Sequence, residues 1–254
     1  MNEIQTPTQQ DCSQLVIDLQ KEIKKLSDFL ENKSFNKKDD VRYFAILYAG
    51  QVLDFSNALV ILQGKNAVGS QFTIWRSLFE AYARFCFLID GVQSGENPYG
   101  DQLACLNDLL LEAYIDEEKY LNDEECALPD SIKTSELSRV EKEIDRLKKA
   151  GATKKSFQKY LQQLAERNAI FKGDTFGWYP KFRIFSGLAH SRITTLQKIY
   201  APKGCALNFP IQQSTTFCAF MFGEAQRFLV GVGSGITLLW DVEEIRREVN
   251  QSAD

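Results

Sequence analysis

The stretch SQFTIWRSLFEAYARFCFLID, residues 70–90, decides the fold class. Apolar side chains cover most of the circumference of a helix built from it, so the helix needs neighbours on nearly every side. This predicts a central helix that other helices surround. Five polar side chains fall on one stripe, which consists of Thr73, Arg76, Ser77, Glu80 and Arg84.

Further amphipathic helices are predicted on both sides of this segment, because proline and glycine are few and fall between stretches with a 3.6-residue apolar repeat. The predicted helices span about 11–31, 39–62, 97–126, 135–150, 153–168, 178–200 and 211–240. The last of them should be interrupted or kinked near Gly231, Gly233 and Gly235. We therefore predict an all-α helical bundle in a single domain, 1–254, in which two charged helices form a helical-hairpin insertion over 130–170.

Cysteine usage and hydropathy indicate a cytoplasmic protein. The six cysteines lie far apart without a Cys-x-x-Cys pair, and several fall in apolar helical runs, where a thiol packs as a small hydrophobe. Residues 1–10 are polar and lack a signal-peptide pattern. No run approaches the roughly 18 apolar residues that a membrane span requires. We expect neither secretion nor membrane insertion.

Charge is segregated along the chain, although the formal net charge is only −4. Residues 101–145 include fourteen acidic and four basic side chains, whereas residues 175–223 include five basic side chains and no acidic one. The stretch 146–159 is also free of acidic residues, and its alternative interpretation is a solvated helix-turn-helix surface. Basic stretches of this kind attract phosphate groups. The candidate nucleic-acid ligands are Lys154, Lys155, Lys181 and Lys198.

The only histidine, His190, lies seven residues after Arg183. On one helix the two side chains are about 20° short of two full turns apart, so they point the same way. Ser186 lies near the same face. Charges on the central apolar helix are costly to bury unless they are paired. We therefore expect Glu80 to be buried and to contact an arginine, the candidates being Arg76, Arg84, Arg183 and Arg192.

The segment RIFSGLAH, from Arg183 to His190, resembles the hallmark of the HEPN superfamily, the "higher eukaryote and prokaryote nucleotide-binding" helical domains. That hallmark is an arginine, four to six residues and a histidine on one helix. Ile184 departs from the pattern, since many HEPN nucleases have a polar residue there. The segments 75–85 and 178–192 also resemble an uncharacterised family of bacterial helical proteins with an Arg-x-x-x-Glu helix and a Ser-x-x-x-His helix.

The resemblance implies a metal-independent endoribonuclease that acts as a toxin or defence effector. It further implies a homodimer, an RNA substrate, a protein regulator and no cofactor. In that enzyme His190 transfers a proton and Arg183 binds the phosphate, and the supporting residues are Arg76, Glu80, Arg84, Ser186 and Arg192. A single histidine with scattered cysteines gives no credible zinc site.

Two alternatives to catalysis remain open. In the first, His190 is a hydrogen-bonded core histidine in a structural network with arginine and glutamate. The chain is then a non-catalytic helical scaffold or a partner-binding homo-oligomer. In the second, the same residues bind a ligand without chemistry.

Overall fold

The computed structural model describes residues 8–31, 40–63, 65, 67–90, 98–123, 126–167, 182–183, 186 and 215–251. About 90% of these residues are helical and none of them forms a strand, which confirms the predicted all-α class. The helices with described bounds are α1 (Gln9–Glu31), α2 (Asp40–Leu62), α3 (Val68–Asp90), α4 (Pro98–Asn122), α5 (Asp130–Lys149), α6 (Phe157–Arg167) and α7 (Thr215–Gln251).

A capping box sets the start of α1. Thr8 Oγ1 accepts a hydrogen bond from the backbone N–H of Asp11 at 3.2 Å, and Asp11 Oδ2 accepts one from the Thr8 N–H at 2.7 Å. These bonds satisfy amide groups that a helix N-terminus leaves unpaired. They also lower the pKa of the Asp11 carboxyl, the backbone bond from Thr8 being the main cause. The helix therefore begins two residues before the predicted start at residue 11.

A Schellman motif ends α5. Gly151 has φ of 84°, and its N–H donates to Lys148 O at 3.0 Å. The N–H of Ala152 donates to Leu147 O, also at 3.0 Å. The left-handed conformation at the position after the helix favours glycine. Gly151 therefore forms the turn that follows α5, between the two charged helices predicted over 135–150 and 153–168.

The chain divides into two compact units. The first contains α1, α2, α3 as far as Cys86, the Phe182–Arg183 turn and α7. The second lies within Phe87–Lys172 and contains α4, α5 and α6. The second unit includes the segment 130–170 that was predicted as an insertion. Helix α4 belongs to the same unit because it packs along α5. The residues buried between these helices are Leu111, Leu121, Val140, Ile144 and Leu147.

Helices α2 and α7 of the first unit pack through seams that alternate three- and four-residue steps. On α2 the fully buried side chains are mostly small, and they are Ala45, Ala49, Val52, Ser56 and Leu59. On α7 the same spacing is formed by Cys218, Phe222, Ala225, Leu229, Val232, Ile236 and Leu239. This is the spacing of helices that pack knobs into holes in a bundle. Helix α1 contacts both α2 and α7.

Helix α3 has the largest share of buried residues of the described helices, as predicted. Its aromatic side chains pack against those of α7. The Trp75 and Phe220 ring centroids are 5.3 Å apart, and Tyr82 stacks on Phe228 at 4.4 Å with an interplanar angle of 18°. Pairs of this kind add to the stabilisation from apolar burial.

Helix α7 runs without interruption through its glycines, so the predicted interruption near Gly231, Gly233 and Gly235 is wrong, and a kink there stays a prediction. Gly231 has a different role. A Cβ atom at this position would lie 2.3 Å from Tyr82 Oη, whereas one at Gly233 would meet nothing within 4 Å. Gly231 therefore allows α7 to approach the Tyr82 ring closely.

By length and composition, α2 is the one helix among the described residues that could cross a membrane, over Val41–Leu62. Of its most apolar 18-residue stretch, 28% is buried in the structure. The buried side chains of α2 lie on the seam described above, and the helix packs against α1 and α7. The expectations of a cytoplasmic location and of no membrane insertion stay predictions.

Candidate functional site

The polar stripe of α3 carries a ladder of three charged side chains. Arg84 Nη1 donates to Glu80 Oε1 at 2.7 Å, and Arg76 Nη2 lies 3.5 Å from Glu80 Oε2. The spacing of four residues brings each arginine onto the face that carries the carboxylate. The predicted contact between Glu80 and an arginine is therefore confirmed.

The expectation that Glu80 would be buried is wrong, because its side chain is only partly buried. Its side chain is 23% exposed, and those of Arg76 and Arg84 are each 21% exposed. The stripe reaches solvent although the other sides of α3 are packed. A partly exposed ladder loses less solvation free energy than a fully buried one, so the fold tolerates it more easily.

Phe182 anchors a short helical turn beside this ladder. It is 9% exposed, its ring centroid is 6.2 Å from that of Phe79, and Arg76 Cζ lies 5.3 Å from it. The guanidinium of Arg76 therefore makes a cation–π contact with the turn. Arg183, the next residue, is exposed, and Ser186 is half-buried. The predicted phosphate-binding arginine and the polar stripe of α3 thus belong to one neighbourhood.

Arg76 has a buried donor that the ladder does not use. Its Nε atom is shielded from solvent and has no hydrogen-bond acceptor within the described part of the chain. Arginine stays charged at all physiological pH values and has five N–H donors in a rigid fork. Sequence reasoning identified Arg76 as a supporting residue but missed Phe182, whose ring holds the guanidinium.

The remaining predicted site residues of this face are His190 and Arg192, together with Lys181 and Lys198. All four lie outside the described residues. The proton-transfer role of His190, the pairing of Arg192 with Glu80 and the binding roles of the two lysines stay predictions. No group of three or more histidine, cysteine, aspartate or glutamate side chains is placed to hold a metal ion in the described ranges.

The other two predicted nucleic-acid ligands, Lys154 and Lys155, belong to the second unit. Lys155 Nζ lies 2.5 Å from Oδ2 of Asp108, a buried carboxylate that also accepts a hydrogen bond from the Thr153 N–H at 2.7 Å. The Lys155 ammonium also stands 5.1 Å from the centre of the Phe87 ring. Lys154 is more exposed, with Nζ 3.6 Å from Asp116 Oδ1. Lys154 is thus the more accessible of the two lysine side chains.

Comparison with family models, with curated proteins and with solved structures gives no match in any of the three. The HEPN resemblance therefore rests on the residues of this chain, above all Arg183 and His190. Membership of that superfamily stays a prediction.

Proposed function

We propose that this protein is a metal-independent endoribonuclease whose catalytic pair is Arg183 and His190. The observation that carries the proposal is the exposed position of Arg183 beside the arginine-rich stripe of α3. A ribonuclease needs a cation that a phosphodiester can reach from solvent, and Arg183 meets that requirement. Its neighbour Phe182 is buried and fixes the turn from which Arg183 projects.

The chemistry is set by what RNA cleavage requires. The ribose 2′-oxygen attacks the adjacent phosphorus, and the bond from phosphorus to the 5′-oxygen of the next nucleotide breaks. A base must take the 2′-hydroxyl proton, an acid must protonate the leaving 5′-oxygen, and a cation must stabilise the charge on the phosphoryl oxygens. His190 suits proton transfer near neutral pH, and Arg183 suits the phosphoryl oxygens because its planar fork binds two of them at once.

One histidine cannot readily act as base and acid in the same turnover. Two copies of the chain, related by a two-fold axis, would supply a second imidazole across a shared cleft. The proposed enzyme is therefore a homodimer. Its role as a toxin or defence effector, with a protein regulator, is inferred from the HEPN resemblance.

A specific observation favours the alternative of a non-catalytic scaffold. Glu80 is paired with two arginines on its own helix, as in a structural charge network. In a scaffold, His190→Ala would leave partner binding and assembly intact unless it unfolded the core.

Purified protein incubated with total RNA in excess chelator tests the proposal. The wild type should cleave, and His190→Ala should abolish cleavage. Arg183→Lys should impair it, because lysine keeps the charge and loses the bidentate contact. Arg227→Lys is the matched control, since Arg227 is a surface arginine of the same unit that is paired with Glu224 at 3.2 Å. Equal cleavage by all four proteins would refute the assignment.

A further inference from the structure

Three positive charges and one negative charge lie on a surface that we call the arginine face. It consists of Arg76, Glu80, Arg84 and Arg183. Glu80 makes its short contact with Arg84 at 2.7 Å, and its distance to Arg76 is 3.5 Å. Arg84 is therefore the arginine that the carboxylate holds more closely. The positive charge in excess belongs to Arg76 and Arg183.

Arg76 is also oriented for a ligand. The ring of Phe182 lies against its guanidinium, with 5.3 Å between Cζ and the ring centroid, and this contact limits the rotation of the fork. Its Nε atom is shielded from solvent, whereas the side chain as a whole is 21% exposed, so a ligand would meet the terminal nitrogens of the fork. A guanidinium held in this way loses little conformational freedom when it binds an anion.

We infer that Arg76 and Arg183 form a two-arginine site for one phosphate group of a single-stranded nucleic acid. Arg76 takes the phosphate through its terminal nitrogens, and Arg183, the exposed residue that follows Phe182, supplies the second cation. The inference rests on the proposed function for the identity of the anion. It assigns Arg76 a direct contact with substrate, where the sequence assigned it a supporting role.

Binding of a short single-stranded DNA oligonucleotide, measured by fluorescence anisotropy over a range of salt concentrations, tests this site. DNA lacks the 2′-hydroxyl, so it is not cleaved and reports binding alone. We expect Arg76→Gln to weaken binding about tenfold and to lower the slope of log affinity against log salt by about 0.7, the value for one phosphate contact on a single strand. Arg76→Lys should recover part of the affinity, because it restores the charge without the fork.

Two controls remove the same charge elsewhere. Arg84→Gln breaks the closer pair of the ladder, about 12 Å further along the helix axis, and Arg227→Gln removes a surface charge of the same unit. Both should weaken binding less than Arg76→Gln. Equal losses in the three variants, or no binding by the wild type, would overturn the inference. Should Arg76→Gln fail to fold, Arg76→Lys with affinity equal to that of the wild type would overturn it as well.

The same variants separate this inference from the proposed function. If the protein binds DNA through Arg76 but cleaves no RNA, the inferred phosphate site stands and the nuclease assignment is wrong. If cleavage of RNA depends on His190 while Arg76→Gln changes neither binding nor cleavage, the nuclease assignment stands and the inferred phosphate site is wrong.

Discussion

Gly231→Ala should destabilise the first unit, although alanine is the better helix former. The added Cβ would lie 2.3 Å from Tyr82 Oη and 3.1 Å from Tyr82 Cζ. The ring cannot move aside freely, because Tyr82 is fully buried and stacked on Phe228 at 4.4 Å. Overpacking of this kind costs about 1–3 kcal/mol. It outweighs the gain of about 0.5–1 kcal/mol that alanine brings to a helix interior.

Gly233→Ala is the matched control, because a Cβ at Gly233 meets nothing within 4 Å. The difference in unfolding free energy between the two variants should isolate the contact with Tyr82. In thermal unfolding measured by circular dichroism, Tm of Gly231→Ala should be lower than that of Gly233→Ala. The expected shift is about 2–4 °C for each kcal/mol of difference in unfolding free energy. Tyr82→Phe removes Oη, so Gly231→Ala should cost less in that background. Equal Tm values for Gly231→Ala and Gly233→Ala would refute the reasoning.

Three further predictions concern stability. Glu80→Ala should lower the free energy of unfolding by about 1–2 kcal/mol more than Glu143→Ala, because Glu80 holds two arginines; equal urea midpoints would contradict this. Gly151→Ala should cost about 1 kcal/mol, since φ of 84° disfavours a side chain, and an unchanged Tm would contradict it. Burial raises the pKa of the Cys218 thiol from 9.0 to about 12. The stability that this thiol contributes is therefore fully present below pH 9 and is lost as the pH rises towards 12. Cys218→Ala should therefore reduce the alkaline loss of stability in urea titrations, and an unchanged pH dependence would count against it.

The fold class and the central helix could be predicted because both depend on local periodicity. The apolar circumference of residues 70–90 requires burial on nearly all sides, and the structure confirms it. Helix ends were less accurate. The prediction began α5 at residue 135, whereas the helix begins at Asp130, because its first turn is mostly polar and its one apolar side chain, Ile132, forms no repeat.

The errors at the glycines and at the site have a common physical cause, which is packing between segments far apart in the sequence. Glycines in an apolar helix suggested a break in α7, but Gly231 makes room for Tyr82 of α3. The contact between Arg76 and Phe182 depends on how two distant segments meet. The i, i+4 ladder of Arg76, Glu80 and Arg84 lies within one helix, so spacing placed both arginines among the four predicted candidates for contact with Glu80.

The nature of the RNA ends produced in excess chelator tests the central claim most directly. Attack by the 2′-oxygen must leave a 2′,3′-cyclic phosphate on one fragment and a 5′-hydroxyl on the other. A substrate RNA with a single 2′-deoxyribose at the mapped cleavage position should therefore resist cleavage there, and mass spectrometry of the all-ribose products should find the cyclic phosphate. Cleavage that continues at the deoxyribose position, yields 5′-phosphate ends, or is undiminished in the His190→Ala variant would contradict the account.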